Sequence, residues 1–259
     1  MDLGIKGKTA LVCASSKGLG LGSARALAEA GCAIVMNARG AEALEAAAEG
    51  IRRDFGVKVT AIAADITTED GRARVLEAAG TLDILVTNAG GPPPGAWTDW
   101  TRDDFIAAFD ANLLTPVALM KATLPAMIDR GWGRVVNITS VSVKSPIAAL
   151  GLSNTARTGL TGYVAGVARQ VAPHGVVINN LLPGLHGTDR MVQLENAASA
   201  SSGKSVDQVR AERLATIPAG TYGDPRDFGA TCAFMCSQFA GFMVGQNILL
   251  DGGATNSTL

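Results

Sequence analysis

Cysteine is scarce in this 259-residue chain: Cys13, Cys32, Cys232 and Cys236 are too few and too scattered for a disulfide scaffold. Cys232 and Cys236 stand four apart on an expected helix, where they read as two small buried apolar side chains rather than a metal or redox pair. No metal site is expected. An excess of one charge is also lacking. Lys and Arg total 22 against 23 Asp and Glu, a formal net charge of −1, which leaves no broad cationic surface to track nucleic acid. No apolar run looks long enough to cross a bilayer. The first residues, MDLGIKGKTALV, lack the basic region, long apolar core and cleavage site of a secretory leader. Ser/Pro linkers, charge blocks, low-complexity tracts and internal repeats are missing too. The expectation is one cytoplasmic domain over residues 1–259, with neither nucleic acid nor membrane as partner.

What is present is alternation. Apolar residues make up 47% of the chain and charged ones 17%, ample for a large buried core. Short Val/Ile/Leu-rich runs at 9–13, 33–37, 57–63, 84–87, 134–138, 176–181 and 248–250 read as parallel strands covered on both faces. Longer amphipathic stretches at 19–30, 41–55, 68–79, 102–128, 151–172 and 225–236 read as helices. Strand–helix alternation favours right-handed crossovers, hence an α/β protein with a doubly wound parallel sheet of about seven strands and helices on both faces. Ligands of such sheets sit beyond the carboxyl ends of the strands. Residues 191–218 break the rhythm with a small polar centre and a helix-like 206–214. This excursion, within 188–218, reads as a substrate lid, with a disordered surface insertion as the other reading.

After the first strand comes Cys13-Ala14-Ser15-Ser16-Lys17-Gly18-Leu19-Gly20-Leu21-Gly22, leading into an alanine-rich helix. Small residues there let the backbone approach a pyrophosphate, and the helix amino terminus offers free N–H groups and a positive dipole. Such a loop is also compatible with a mere tight turn, but its strand–turn–helix setting favours a dinucleotide. The second strand ends Asn37-Ala38-Arg39, without the acid that would hold both ribose hydroxyls of NAD. Arg39 and Lys17 could instead face a 2′-phosphate. The pattern favours NADP(H) over NAD(H).

These residues resemble the short-chain dehydrogenase/reductase family over nearly the whole chain, which implies a single Rossmann-type domain. The family's Thr-Gly-x-x-x-Gly-x-Gly falls on Cys13 to Gly20, with Cys13 and Ala14 replacing its first two members. By that resemblance Ser15, Ser16, Lys17, Gly18, Leu19 and Gly20 hold the cofactor phosphates. Asp65, with Ile66 beside it, matches the residue at the adenine, and Asn88-Ala89-Gly90 matches the Asn-Asn-Ala-Gly signature. Asn112 matches the helix asparagine of the proton relay, and Ser140 the catalytic serine. Pro183, Gly184 and Thr188, with His186 among them, match the family's turn at the nicotinamide carboxamide. A small-molecule substrate and a homotetramer are implied, with the apolar carboxyl-terminal stretch at 242–250 as a contact surface.

The departure lies in the chemistry. The family's Tyr-x-x-x-Lys falls on Ser153-Asn154-Thr155-Ala156-Arg157. In the family mechanism the lysine holds the nicotinamide ribose and lowers the tyrosine pKa, and the tyrosine supplies the proton. Arg157 keeps the charge and can bind the cofactor. Ser153 keeps a hydroxyl, but a less acidic and shorter one. Three readings follow: an NAD(P)-dependent oxidoreductase of small carbonyl or alcohol substrates with an atypical proton-transfer site, a lyase or isomerase on the same scaffold, or a non-catalytic dinucleotide-binding protein. In the first, Asn112, Ser140, Ser153 and Arg157 are the catalytic set, and Ser142, Lys144 or His186 could meet substrate or give the proton.

Overall fold

The structure, a computed structural model, describes residues 1–256. Seven strands form one parallel sheet in the order β3-β2-β1-β4-β5-β6-β7: β1 (Thr9–Val12), β2 (Ala33–Ala38), β3 (Val59–Ala63), β4 (Ile84–Thr87), β5 (Gly133–Ile138), β6 (Val176–Pro183) and β7 (Asn247–Leu250). Their apolar runs are continuous because both faces are covered. On one face α1 (Gly18–Glu29), α2 (Ala41–Phe55) and α9 (Pro225–Met235) bury Leu27, Leu44 and Phe228. On the other, α3 (Glu69–Ala79), α5 (Thr115–Asp129) and α6 (Gly151–Val171) bury Val75, Leu119 and Leu160. All four cysteines are free and buried, and burial pushes the Cys13 thiol up to about 12. The sheet is thus the expected doubly wound one, with helices on both sides.

Inside the sheet a polar ladder crosses four strands. Thr87 Oγ1 donates to Asn137 Oδ1 at 2.7 Å, Asn137 Nδ2 to Asn180 Oδ1 at 3.3 Å, and Asn180 Nδ2 to Asn247 Oδ1 at 2.8 Å. Each bond joins residues that are register partners. A slip of one residue would break every bond and turn each side chain to the opposite face. The ladder therefore fixes the height at which the loops after β4 and β5 leave the sheet.

Two stretches of the chain needed revision. The helix expected at 102–128 consists of α4 (Arg102–Phe109), a π-helical turn at Asp110–Leu114, and α5. A π turn inserts one extra residue per hydrogen-bonded ring, a device common at functional sites, and here it contains the buried Asn112. Because the turn does not break the helix, Arg102–Asp129 runs for 28 residues and by length and composition alone could cross a membrane. That corrects the expectation that no apolar stretch is long enough. In the fold the segment packs Leu119, Met120, Leu124 and Met127 into the core. The second revision concerns the excursion after β6, which folds as two helices, α7 (Asp189–Ser202) and α8 (Val206–Leu214). Only the second is helix-like in the sequence. A capping box starts it, with Ser205 accepting from the Gln208 N–H and Gln208 returning to the Ser205 N–H.

Candidate active site

Strand order reverses between β1 and β4, so a crevice opens where the loops after these strands part. The loop after β1 turns through Ala14 at φ +47°, the one positive-φ non-glycine residue among the described residues. Glycine is the ordinary occupant of that backbone conformation. Six residues on, a Cβ at Gly20 would collide with the Ala14 carbonyl oxygen and meet Asn88 Nδ2 at 2.9 Å, so helix and loop close on each other only over a glycine. Asn88 Nδ2 also donates to Ala14 O at 3.4 Å, joining the two loops. The helix begins with no side-chain cap at Lys17, leaving the first-turn N–H groups free for an anion.

Not every loop residue faces outward. Ser15 is fully buried: its hydroxyl donates to Val12 O at 2.8 Å and accepts from the Asn37 N–H. Leu19 packs against the core, Ser16 is half-buried and Lys17 is exposed. At the end of β2, Asn37 turns inward and its amide donates to Ile62 O and Ala64 O. Arg39 beyond it is exposed, and neither Arg39 nor Lys17 pairs with an acid among the described residues. Asp65 accepts from the Thr67 N–H and hydroxyl on Oδ1. Those bonds first, and the charge of Arg39 last, hold its carboxyl below the usual range. Ile66 is buried in the second core. Gly184 donates to Leu250 O at 2.7 Å, and Thr188 caps α7 without a side-chain bond. Thr188 approaches the phosphate loop closely enough that a Cβ on Gly18 would lie 3.5 Å from its methyl group.

The centre of the site is Arg157, 7% exposed, with burial pushing its guanidinium down to about 10. It stays charged at neutral pH. Its Nη1 donates to Ile138 O at 2.9 Å and Thr139 O at 2.8 Å, its Nη2 to Ala89 O at 3.4 Å, and its Nε to Ser153 Oγ at 3.2 Å. A guanidinium has five N–H groups, so one on Nη2 remains. The structure thus brings Arg157 and Ser153 together, as their spacing of four on one helix allows, and ties them to the loops after β4 and β5. Next to this, Ser140 Oγ accepts from the Ser142 N–H at 3.1 Å. Asn112 Oδ1, Thr139 Oγ1 and Ser142 Oγ are buried with no protein partner.

The other proton-donor candidates lie elsewhere. Lys144 is exposed on the loop after β5. His186 is buried edge-on to Phe228, 5.2 Å between ring centres, with Nδ1 3.2 Å from Gly184 O. Burial above all lowers its pKa and favours the neutral ring. It lines a cavity of about 170 Å³ with Asp224, Asp227 and Asp251, and Ser140, Ser153 and Arg157 are not in that lining. Two residues that sequence reasoning did not select are conspicuous here. Glu195 of α7 and Tyr222 of the loop between α8 and α9 share a hydrogen bond, and nothing in their spacing announces it.

A cradle that only glycine permits, an uncapped helix amino terminus, an unengaged Thr188 hydroxyl and a free Asp65 oxygen fit a dinucleotide well. Sheet order and crevice define the class, a Rossmann-type nucleotide-binding protein with a polar reaction site. The family model described as Enoyl-(Acyl carrier protein) reductase matches residues 13–255. Human Dehydrogenase/reductase SDR family member 4 is 30% identical over 95% of this chain and 87% of its own. L-sorbose reductase from Gluconobacter frateurii, solved with NADPH and L-sorbose, superposes with a TM-score of 0.95 at 27% identity, covering 99% of this chain and 100% of that one. An NAD+-bound xylitol dehydrogenase superposes at 0.87 with 27% identity, over 96% and 99% of the two chains. The chain belongs to the short-chain dehydrogenase/reductase family.

Proposed function

We propose that the protein is an NADP(H)-preferring oxidoreductase of a small carbonyl or alcohol substrate, with Ser153 and Arg157 replacing the family's tyrosine and lysine. The observation that carries this is the bond from Arg157 Nε to Ser153 Oγ at the end of β5. Accepting from a cation leaves the Ser153 proton free to donate and strengthens that donation. Ser140, whose oxygen accepts from the Ser142 N–H, likewise keeps its proton for substrate. Two hydroxyls beside a buried positive charge can hold a substrate oxygen as it becomes negative. Asn112 Oδ1, buried and unpartnered, is an acceptor for the path that returns the proton. When bound, the dinucleotide supplies or takes up hydride.

Its phosphates are assigned to the loop from Ser15 to Gly20, where Ser15 shapes the turn, its N–H donating to Asn37 O at 3.0 Å and its hydroxyl to Val12 O at 2.8 Å. Asp65 and Ile66 flank the adenine, and Asn88, Ala89 and Gly90 the ribose, together with the remaining Arg157 N–H. Pro183, Gly184, the His186 backbone and Thr188 hold the carboxamide. Helices α7 and α8 form the substrate lid at 188–218. Without a group as acidic as a phenol, lyase or isomerase chemistry is the second reading, and NADPH-dependent turnover of carbonyl compounds separates the two.

The cofactor preference rests on Arg39 and Lys17, both exposed and free of carboxylate partners among the described residues. In a titration of NADPH and NADH, the protein is expected to prefer NADPH. Arg39→Ala should erase about tenfold of that preference, the scale of one charge-assisted hydrogen bond. Equal affinities in the parent, or an unchanged ratio in the variant, would refute it.

A homotetramer is part of the same proposal. β7 is one edge of the sheet, and Phe242, which opens the apolar stretch 242–250, is an exposed ring of the kind symmetric assembly covers. Light scattering at micromolar concentration should give four times the chain mass, and a monomer alone would refute it.

A further inference from the structure

Glu195 lies on α7 with its carboxylate only 1% exposed, an expensive place for a charge unless every oxygen is engaged. Both oxygens are. Arg210 of α8 grips it as a fork, Nε to Oε1 at 3.2 Å and Nη2 to Oε2 at 2.9 Å. The Tyr222 hydroxyl donates to Oε1 at 2.7 Å. Arg213 adds a bond from Nη2 to Leu194 O. The two helices of the proposed lid are therefore locked to each other and to the loop that returns to α9.

That loop is itself bonded to the turn after β6. Gly223 donates to Leu185 O at 3.0 Å, and Gly187 donates to Gly223 O at 2.9 Å. A Cβ on Gly223 would press into the His186 ring at 2.6 Å, so the backbones meet only over a glycine. Tyr222 thus stands one residue along the chain from the strand-like pairing of Gly223 with residues 185–187, just before Thr188 starts α7.

From this we infer that Tyr222 and Glu195 are positioning residues: their bond sets the turn at 184–188 and so the grip on the nicotinamide half of the cofactor, without touching it. The inference rests on the dinucleotide reading given above. The adenine half is assigned to the loops after β1, β2 and β3, and the side chains of Glu195 and Tyr222 form their hydrogen bonds to each other and to Arg210, not to those loops.

The test compares two probes, NADPH and adenosine 2′,5′-bisphosphate, which lacks the nicotinamide. Their affinities for the intact protein, Tyr222→Phe and Glu195→Gln are read by titration calorimetry. Tyr222→Phe removes one hydroxyl and keeps the ring. It should weaken NADPH about tenfold, the scale of a bond to a charged group, and leave the bisphosphate within about twofold of the parent. Glu195→Gln, which keeps the shape but loses the charge, should move NADPH in the same direction. Equal losses for both probes would mean general damage and overturn the positioning role, as would unchanged NADPH affinity in both variants. If the parent binds neither probe, the dinucleotide reading itself fails and the latch loses its role with it.

Discussion

Arg157→Ala is expected to lower the melting temperature by about 10 °C and to weaken NADPH binding. The guanidinium holds the carbonyls of Ile138, Thr139 and Ala89 and the Ser153 hydroxyl in a buried setting. Each buried acceptor left without a donor costs roughly 1–3 kcal/mol. Water entering the vacated space restores part of that, leaving about 3 kcal/mol. In a chain of this size 1 kcal/mol moves the midpoint by about 2–4 °C. Arg157→Lys should recover only part of the loss, since an ammonium has three N–H groups and Arg157 makes four bonds. Thermal melts read the first effect and NADPH titration the second. A midpoint within about 2 °C of the parent would show that the clamp contributes nothing.

Ser153→Tyr combined with Arg157→Lys is expected to raise NADPH-dependent turnover of a generic ketone by about 10²–10⁴, the usual worth of a positioned general acid. The parent should turn over slowly, because a serine hydroxyl polarised by Arg157 stabilises negative charge more readily than it surrenders a proton. Ser153→Ala should reduce that slow rate while leaving NADPH affinity near the parent value, since Ser153 bonds only to Arg157 Nε in the structure. The double variant gives up part of the Arg157 clamp, so its rate is compared below its own melting range. Rapid ketone reduction by the parent, abolished in Ser153→Ala, would make Ser153 the working acid and sink the prediction.

Most of the sheet was legible in the chain. The run 84–87 is β4 residue for residue, and the other strands differ by a residue or two at their ends, because strand-forming runs buried on both faces leave a local apolar signal. Helix α7 left none. It buries only Met191 and Glu195, so no apolar stripe marks it and its one deeply buried polar residue reads as a surface charge. The π turn at 110–114 was hidden for a related reason: it interrupts a hydrogen-bond ladder without altering composition. The part Ser15 plays in the phosphate loop was equally hidden: its hydroxyl is spent on Val12 O and the Asn37 N–H, 22 residues away.

By itself the sequence determined the parallel doubly wound sheet and the glycine loop at its first turn, both written in short windows as periodicity or spacing. Ser153 and Arg157 came forward only through the family resemblance. Only the tertiary structure decided what Arg157 does. Its partners Thr139, Ile138 and Ala89 lie 18, 19 and 68 residues away, carried to it by the ends of two strands whose pairing no local pattern reveals. The same holds for Glu195 and Tyr222, 27 residues apart. A side chain's type limits which bonds it can make, and the folded chain decides which of those bonds form.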